Sequence, residues 1–318
     1  GATDEERKAY IAAREERFDN GPSLSEARRW AQALPKPRSD IQQTLGIIGR
    51  RTSMQRQFEA RWGKDTKQTD TWVFDKHCPS LPDEPTEAPL SSESLKAYRT
   101  DLEAWKKHIA AYRGYQLDLR DTNLQGAELS NAIFAGAKLA GTRMEGANFT
   151  SARMEAANLS SARIVGADLH NARLEGSDIS WASLEGALGM NTRFEGANLG
   201  SAQLDGATLF RARLAGANLH VAMLEGARLV GVRLGGASLS SARLEGSSLA
   251  SARLEGADLS SARLKEANLR RATLAETTNL AYASMSGASI KYVNETTLAK
   301  LKPFLDEMFG DGSIHLPE

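Results

Sequence analysis

Read in steps of five, the chain from about Leu117 to about Ile290 carries one pattern. Large apolar residues fall at Leu124, Leu129, Phe134, Leu139, Met144 and Phe149, and the series continues to Leu184. After one gap it resumes at Phe194 and runs to Leu274. Two residues before each stands a small residue such as Ala127, Ala137 or Ala157, with Thr142, Ser177 and Ser247 as variants. A helix repeats its apolar face every 3.6 residues and a strand every two, so a period of five fits neither. Within each unit the small and large residues obey the strand rule, and between units the chain must turn a corner. A chain that turns steadily with one face inward is a solenoid. Gly126, Gly136, Gly146 and Gly176 sit where those corners need conformational freedom.

The flanking segments follow the helical period. Residues 3–35 read as helix, with Thr3 as N-cap, a break at Asn20-Gly21-Pro22, and Ser23 or Ser25 capping the second part. Ser39-Asp40 caps a short helix through Ile41, Leu45, Ile47 and Ile48. Residues 64–91 form a long connection with Pro79, Pro82, Pro85 and Pro89, either a linker or a surface wrap. Ser91 or Ser92 then opens a helix whose Leu95, Tyr98, Leu102, Trp105, Ile109 and Tyr112 make one stripe, ended by Gly114. Beyond the repeat, Thr296 to Phe309 reads as an amphipathic helix with Leu298, Leu301, Phe304, Leu305 and Met308 on one side. The segments are therefore 1–63 helical, 64–91 connection, 92–115 helix, 116–293 repeat and 294–318 helix and tail. A solenoid leaves strand edges and an apolar axis open at each end. The flanking helices are the expected lids, with a homodimer through these terminal helices as the other use.

The units Ala157-Asn158-Leu159-Ser160-Ser161, Ala167-Asp168-Leu169, Ala197-Asn198-Leu199 and Ala257-Asp258-Leu259 resemble the A(D/N)LXX motif of the pentapeptide-repeat family. Ala147-Asn148-Phe149 is a near match. The resemblance implies an all-β solenoid: a right-handed quadrilateral β-helix with four pentapeptides per coil. Roughly nine coils at about 4.8 Å each would make a rod on the order of 40 Å long. The lead-in from Ser39 to Arg51 and the tail from Phe309 to Pro317 resemble those of a bacterial subgroup, some of whose members carry membrane-spanning segments upstream.

Composition narrows the reading. Lys plus Arg and Asp plus Glu are equal at 40 each, which gives no push toward nucleic acid or membrane. The one cysteine, Cys78, excludes an intrachain disulfide framework and fits a reducing compartment. No run approaches the roughly 20 apolar residues of a membrane span, and no signal peptide is visible. The expected compartment is the cytoplasm, with the soluble part of a larger membrane-associated protein as the second reading. Gly1-Ala2 lacks an initiator Met, so the native chain is expected to extend further.

No cofactor, metal or catalytic site is expected. His170 and His220 are two and a half coils apart, and His77-Cys78 lacks further spaced ligands. Arginines recur at multiples of ten on two opposite faces: Arg143, Arg163, Arg243 and Arg263 on one, Arg153 through Arg253 on the other. Glutamates such as Glu145, Glu155, Glu175 and Glu195 follow two residues later, so a solvated ion-pair lattice is expected rather than a phosphate-binding track. Gly189 takes the place of an inward Leu, which either bulges the coil and turns Leu188 or Met190 inward or leaves a gap. One extra residue near Thr277-Thr278-Asn279 shifts the later register.

Outward apolar residues cluster at Met190, Phe210 and Val230, twenty apart, with Leu188 beside them and Arg211 and Arg228 as rim. Trp181, Val221 and Met223 gather near another corner. Leu188, Met190, Phe210, Val230 and Trp181 are the candidate partner-binding residues. Two functions follow. One is a non-catalytic scaffold for an unknown protein partner. The other, implied by the resemblance, is a DNA mimic that binds gyrase and confers resistance to topoisomerase poisons. Equal acidic and basic content and the Arg columns argue against mimicry, and no specific nucleic-acid binding is expected.

Overall fold

The computed structural model describes residues 24–63, 65–82 and 90–304. The expected helix from Thr3, the Asn20-Gly21-Pro22 break, the Ser23 cap, Pro85, Pro89 and the chain from Leu305 onward lie outside the described residues.

The repeat forms a β-solenoid. From Asp118 on, the residue between each small and large inward pair bridges in parallel to the residue one coil later: Asp118 to Lys138, Asn158 to Asp178, Arg253 to Thr273. An offset of twenty is four pentapeptides, so each coil has four sides and four corners. Each coil is bonded to both neighbours. Leu159 N donates to Asp178 O at 2.6 Å, and Asn158 N donates to Ala137 O at 2.9 Å. At the corner, Ala162 N donates to Leu159 O at 3.0 Å, and Ser161 holds φ +57°. A positive φ at the third residue is the mark of a type II turn.

The polar residue of the motif has a local task. The Asn158 and Asp178 carboxyl or amide oxygens accept from Ser160 N and Ser180 N at 3.0 and 3.1 Å. That satisfies an amide which the inter-coil ladder leaves over. Along this face Asn218 Nδ2 donates to Asn198 Oδ1, and Asn198 Nδ2 to Asp178 Oδ1, both at 3.0 Å. Where Thr replaces the small Ala, its hydroxyl is satisfied: Thr142 and Thr192 donate to Leu119 O and Leu169 O.

Inward residues from Leu124 to Ile290 are buried and form one continuous core. Each fully buried Leu is worth about 1.5–3 kcal/mol in removal from water. Gly189 stays in register, donating to Thr208 O at 2.7 Å, and neither Leu188 nor Met190 turns inward. Of the two outcomes anticipated, the coil therefore does not bulge. A Cβ added at Gly189 would meet Leu209 Cδ2 at 2.7 Å and Thr192 Oγ1 at 2.8 Å, so these two reach into the gap. The extra residue after Leu274 changes the offset to 21, as in Asp258 to Asn279.

Five helices surround the described solenoid: α1 (Leu24–Gln32), α2 (Ser39–Gly49), α3 (Ser53–Ala60), α4 (Ser92–Ala110) and α5 (Glu295–Leu301), the last followed by a 3-10 turn, Lys302–Phe304. Two act as lids. Leu45 of α2 joins the core, and Gly49 O accepts from Ile133 N at 2.8 Å, where a preceding coil would have bonded. At the other end Thr297 Oγ1 of α5 accepts from Leu274 N at 2.9 Å, and Leu301 is fully buried. Arg38, not Ser39, is the N-cap of α2, without a side-chain cap bond.

The long helix α4 corrects the lid expectation. It lies along a corner of the rod, not over an end. Ser91 caps it, and its stripe Leu95, Tyr98, Leu102, Trp105 and Ile109 is buried. Tyr98 donates to Ala215 O at 2.9 Å, and Trp105 packs where a Cβ on Gly176 would sit 2.6 Å from the ring. The apolar stripe needed cover, and glycine corners let a helix approach closely. Helix α1 uses the diagonally opposite corner, with Ala31 against Gly146 and Gly166. The connection is a surface wrap: Trp72 and Phe74 stack edge-on with Tyr112, and Trp105 Nε1 donates to Lys76 O at 3.0 Å.

A pair of substitutions separates the packing from the turn. Gly176 and Gly246 both hold φ +63°, but an added Cβ at Gly246 meets nothing. Gly246→Ala should cost about 1–2 kcal/mol, the left-handed penalty alone. Gly176→Ala should cost about 1–3 kcal/mol more, because Trp105 must move. Denaturant melts in which both variants lose the same stability would contradict the packing of Trp105 on this corner.

Candidate protein-interaction surface

Met190, Phe210 and Val230 occupy one corner on successive coils. Met190 is 39 % and Val230 36 % exposed. Phe210 is half-buried, and the Arg228 guanidinium lies over its ring at 4.7 Å. Such a stack covers part of the ring and holds a cation against it. Leu188 is half-buried beside them, in the bridge ladder between Asp168 and Thr208. Trp181 stands on the diagonally opposite corner, half-buried with φ +62°, so the structure brings four of the five candidates together and not this one. Val221 and Met223 share its side of the rod, with Val221 exposed and Met223 half-buried.

The charge columns differ from the expected solvated lattice. Glu145, Glu155, Glu175 and Glu195 are buried under the arginines. Each lies between its own coil's Arg and the next: Glu155 pairs with Arg153 and Arg173, both at 3.0 Å, and Glu175 with Arg193 at 2.9 Å. The reason is local. The residue after an inward apolar residue sits at the corner, and there α4 and the wrap close over Glu155, Glu175 and Glu195, while α1 closes over Glu145. Arg153 also reaches Asp75 and Phe74 O, and Arg253 reaches Pro82 O. Burial pushes the Glu155 and Glu195 carboxyls above their ordinary range, against the pull of the flanking arginines.

A model of pentapeptide repeats matches the chain in eight copies, over 116–150, 152–188 and overlapping stretches from 190 to 294. The chain is a member of the pentapeptide repeat family. Among solved pentapeptide repeat proteins, HetL, involved in heterocyst differentiation regulation in the cyanobacterium Nostoc, is 32% identical over 59% of this chain and 95% of its own, with a TM-score of 0.35. QnrB1, a plasmid-mediated fluoroquinolone resistance protein, is 21% identical over 60% of this chain and 98% of its own, with a TM-score of 0.38. A pentapeptide repeat protein from the Arabidopsis thaliana thylakoid lumen is 30% identical over 34% of this chain and 75% of its own, with a TM-score of 0.20. No curated protein matches the chain.

Two surface features of this pentapeptide repeat protein escaped the sequence reading. Helix α3 turns Met54 and Phe58 outward, with Trp62 packed edge-on against Phe58. Their i, i+4, i+8 spacing was a legible signal, but one that predicts a buried face. The second lies at the far end of the stripe's own corner. Arg270, Arg271 and Lys291 surround the exposed Tyr292 ring at 5.8, 5.6 and 5.4 Å. Cys78 is buried, and burial raises its thiol, so it is no reactive nucleophile. Among the described residues no group of His, Cys, Asp and Glu could hold a metal ion, and no helix is long and apolar enough to cross a membrane.

The buried carboxylates set a pH signature. A folded-state pKa above the unfolded one gives stability that is full below the ordinary carboxylate range and lost as pH rises through the raised value. Glu195→Gln removes that loss. The variant's melting temperature minus that of the wild type should therefore become more positive from about pH 4 toward neutrality. A difference that is flat, or that falls with pH, would contradict burial as the dominant influence.

Proposed function

We propose that this chain is a non-catalytic interaction scaffold that holds a protein partner along the Met190–Phe210–Val230 corner, with Leu188 at its flank. The observation that carries the reading is the stacking of outward apolar side chains on three consecutive coils, Met190 and Val230 exposed and Phe210 half-buried between them. Elsewhere on the rod the equivalent outward positions are mostly polar or small. An apolar strip rimmed by Arg211 and Arg228 has the composition of a binding patch. A homodimer would use the outward face of α3, since the α2 and α5 lids spend Leu45 and Leu301 on the core. One buried, unpaired cysteine fits work in a reducing compartment such as the cytoplasm. Gyrase binding by DNA mimicry has less support, because a mimic needs an acidic surface. Here arginines cover the carboxylates of one whole face.

Capture from lysate of the source cells, compared by quantitative mass spectrometry, tests the site. Met190→Ser with Val230→Ser should leave the melting temperature within a few degrees, since exposed substitutions cost about 0.5 kcal/mol. The same pair should reduce at least one captured protein by about tenfold or more. An unchanged capture profile would remove this corner as the site. The wild type should leave gyrase supercoiling unaffected, and stoichiometric inhibition would favour the mimic.

A further inference from the structure

We infer that the occupant of this corner is an amphipathic α-helix of a partner protein, apolar over about three turns and acidic over the next two. The inference rests on the proposed interaction site and adds what the partner looks like. Its first support is pitch. Coils repeat at about 4.8 Å and a helix advances 5.4 Å per turn, so one turn meets one coil with a drift of about 1–2 Å over three coils. An extended strand returns to the same face only every 6.6–7 Å and drifts by about 6 Å over the same distance.

The second support is the rod itself. Helix α4 already lies along a neighbouring corner with this match. Leu95 meets Gly256, Arg99 meets Gly236, Leu102 meets Gly216 and Gly196, and Trp105 meets Gly176. About three turns of α4 thus follow successive coils, with Leu102 touching two of them; on the proposed corner, where Asn191, Arg211 and Ser251 stand in place of glycine, a partner helix would run the same way but lie further out.

The third support is charge. Past Val230 the column of outward residues reads Ala250, Arg270 and Lys291, with Arg271 and Tyr292 beside them. Among the described residues Arg270, Arg271 and Lys291 make no ion pair. Three cations around one exposed ring repel each other and favour an anionic group among them. The rim adds Arg228, which lies near Arg28, whose pKa is lowered by burial first and by the Arg228 charge second. A helix spanning the corner from Met190 to Lys291 covers five coil steps, about 24 Å or 16 residues. Carboxylates on its last two turns would meet Arg270, Arg271 and Lys291. The apolar half of the corner offers nothing to a phosphate backbone, which separates this reading from a nucleic-acid track.

The test uses the full chain and a synthetic, side-chain-stapled helix of 16 to 18 residues, fluorescently labelled. The probe carries Leu on one stripe for three turns and Glu on the same stripe for two. Fluorescence anisotropy at physiological salt should show saturable binding, at least about tenfold weaker when Lys replaces Glu. Arg270→Glu with Arg271→Glu should reverse that preference, and such a swap is not a consequence of misfolding. Met190→Ser with Val230→Ser should weaken both probes. Equal binding of the Glu and Lys helices, equal binding of a proline-broken peptide of the same composition, displacement by an oligo-dT strand, or no binding at all would each overturn the inference. If the Met190 and Val230 pair matters but the arginine reversal does not, the interaction site stands and the acidic helix falls. If lysate capture also ignores the Met190 and Val230 pair, the site itself falls.

Discussion

Every feature of this rod depends on one constraint: the interior is dry, narrow and shared by consecutive coils. Only a small residue and a large apolar residue fit on each side, so each pentapeptide gives two inward positions and must spend the other three on a corner and a bridge. The amides are almost fully used between coils, which fixes the register over the whole length. The motif's Asn or Asp then takes the next amide, as Asn158 does for Ser160. The outward side chains are thereby placed in columns about 4.8 Å apart. That spacing makes a corner readable by a helix, whether α4 or a partner.

The solenoid was legible because a period of five is incompatible with helix and strand, and thirty-odd repetitions of an idea leave little room for another fold. Lids at both ends were legible for α2 and α5, since an open apolar axis needs cover. The place of α4 was not. Its stripe from Leu95 to Ile109 announces a buried face without naming the surface that buries it. The missing clue lay in the rod: Gly176, Gly196, Gly216 and Gly256 leave a smooth corner for the helix, while other corners hold Asn191, Arg211 or Ser251. The glutamates were misread for a related reason. Spacing puts them beside arginines, but only packing shows that Glu155 and Glu195 sit beneath them.

The candidate corner was legible in part. Register alone placed Met190, Phe210 and Val230 outward on consecutive coils. It could not show that Arg228 folds over Phe210, because that depends on a rotamer reaching across from the next face. Nor could it show Arg270, Arg271 and Lys291 converging on Tyr292, since that too depends on how three long side chains turn toward one ring. Backbone strain is another matter that pattern does not reveal. Val221 holds φ +57°, Trp181 +62° and Tyr282 +60°, conformations that bulky residues seldom adopt. The solenoid imposes them, since each corner but the one with the extra residue after Leu274 holds a positive φ whatever residue stands there.

The rod stands on its dry axis, and one comparison of melting curves tests this most directly. Leu159 is fully buried in the stack, and Ser261 is exposed at a corner with φ +56°, a conformation that Asp121 also holds. Leu159→Asp places a lone charge where no partner can reach it, and should cost several kcal/mol, on the order of 4 or more. Ser261→Asp should change stability by no more than about 0.5 kcal/mol. A large drop in melting temperature for the first and almost none for the second is the expected result. Equal melting temperatures for Leu159→Asp and the wild type would contradict the structure at its base.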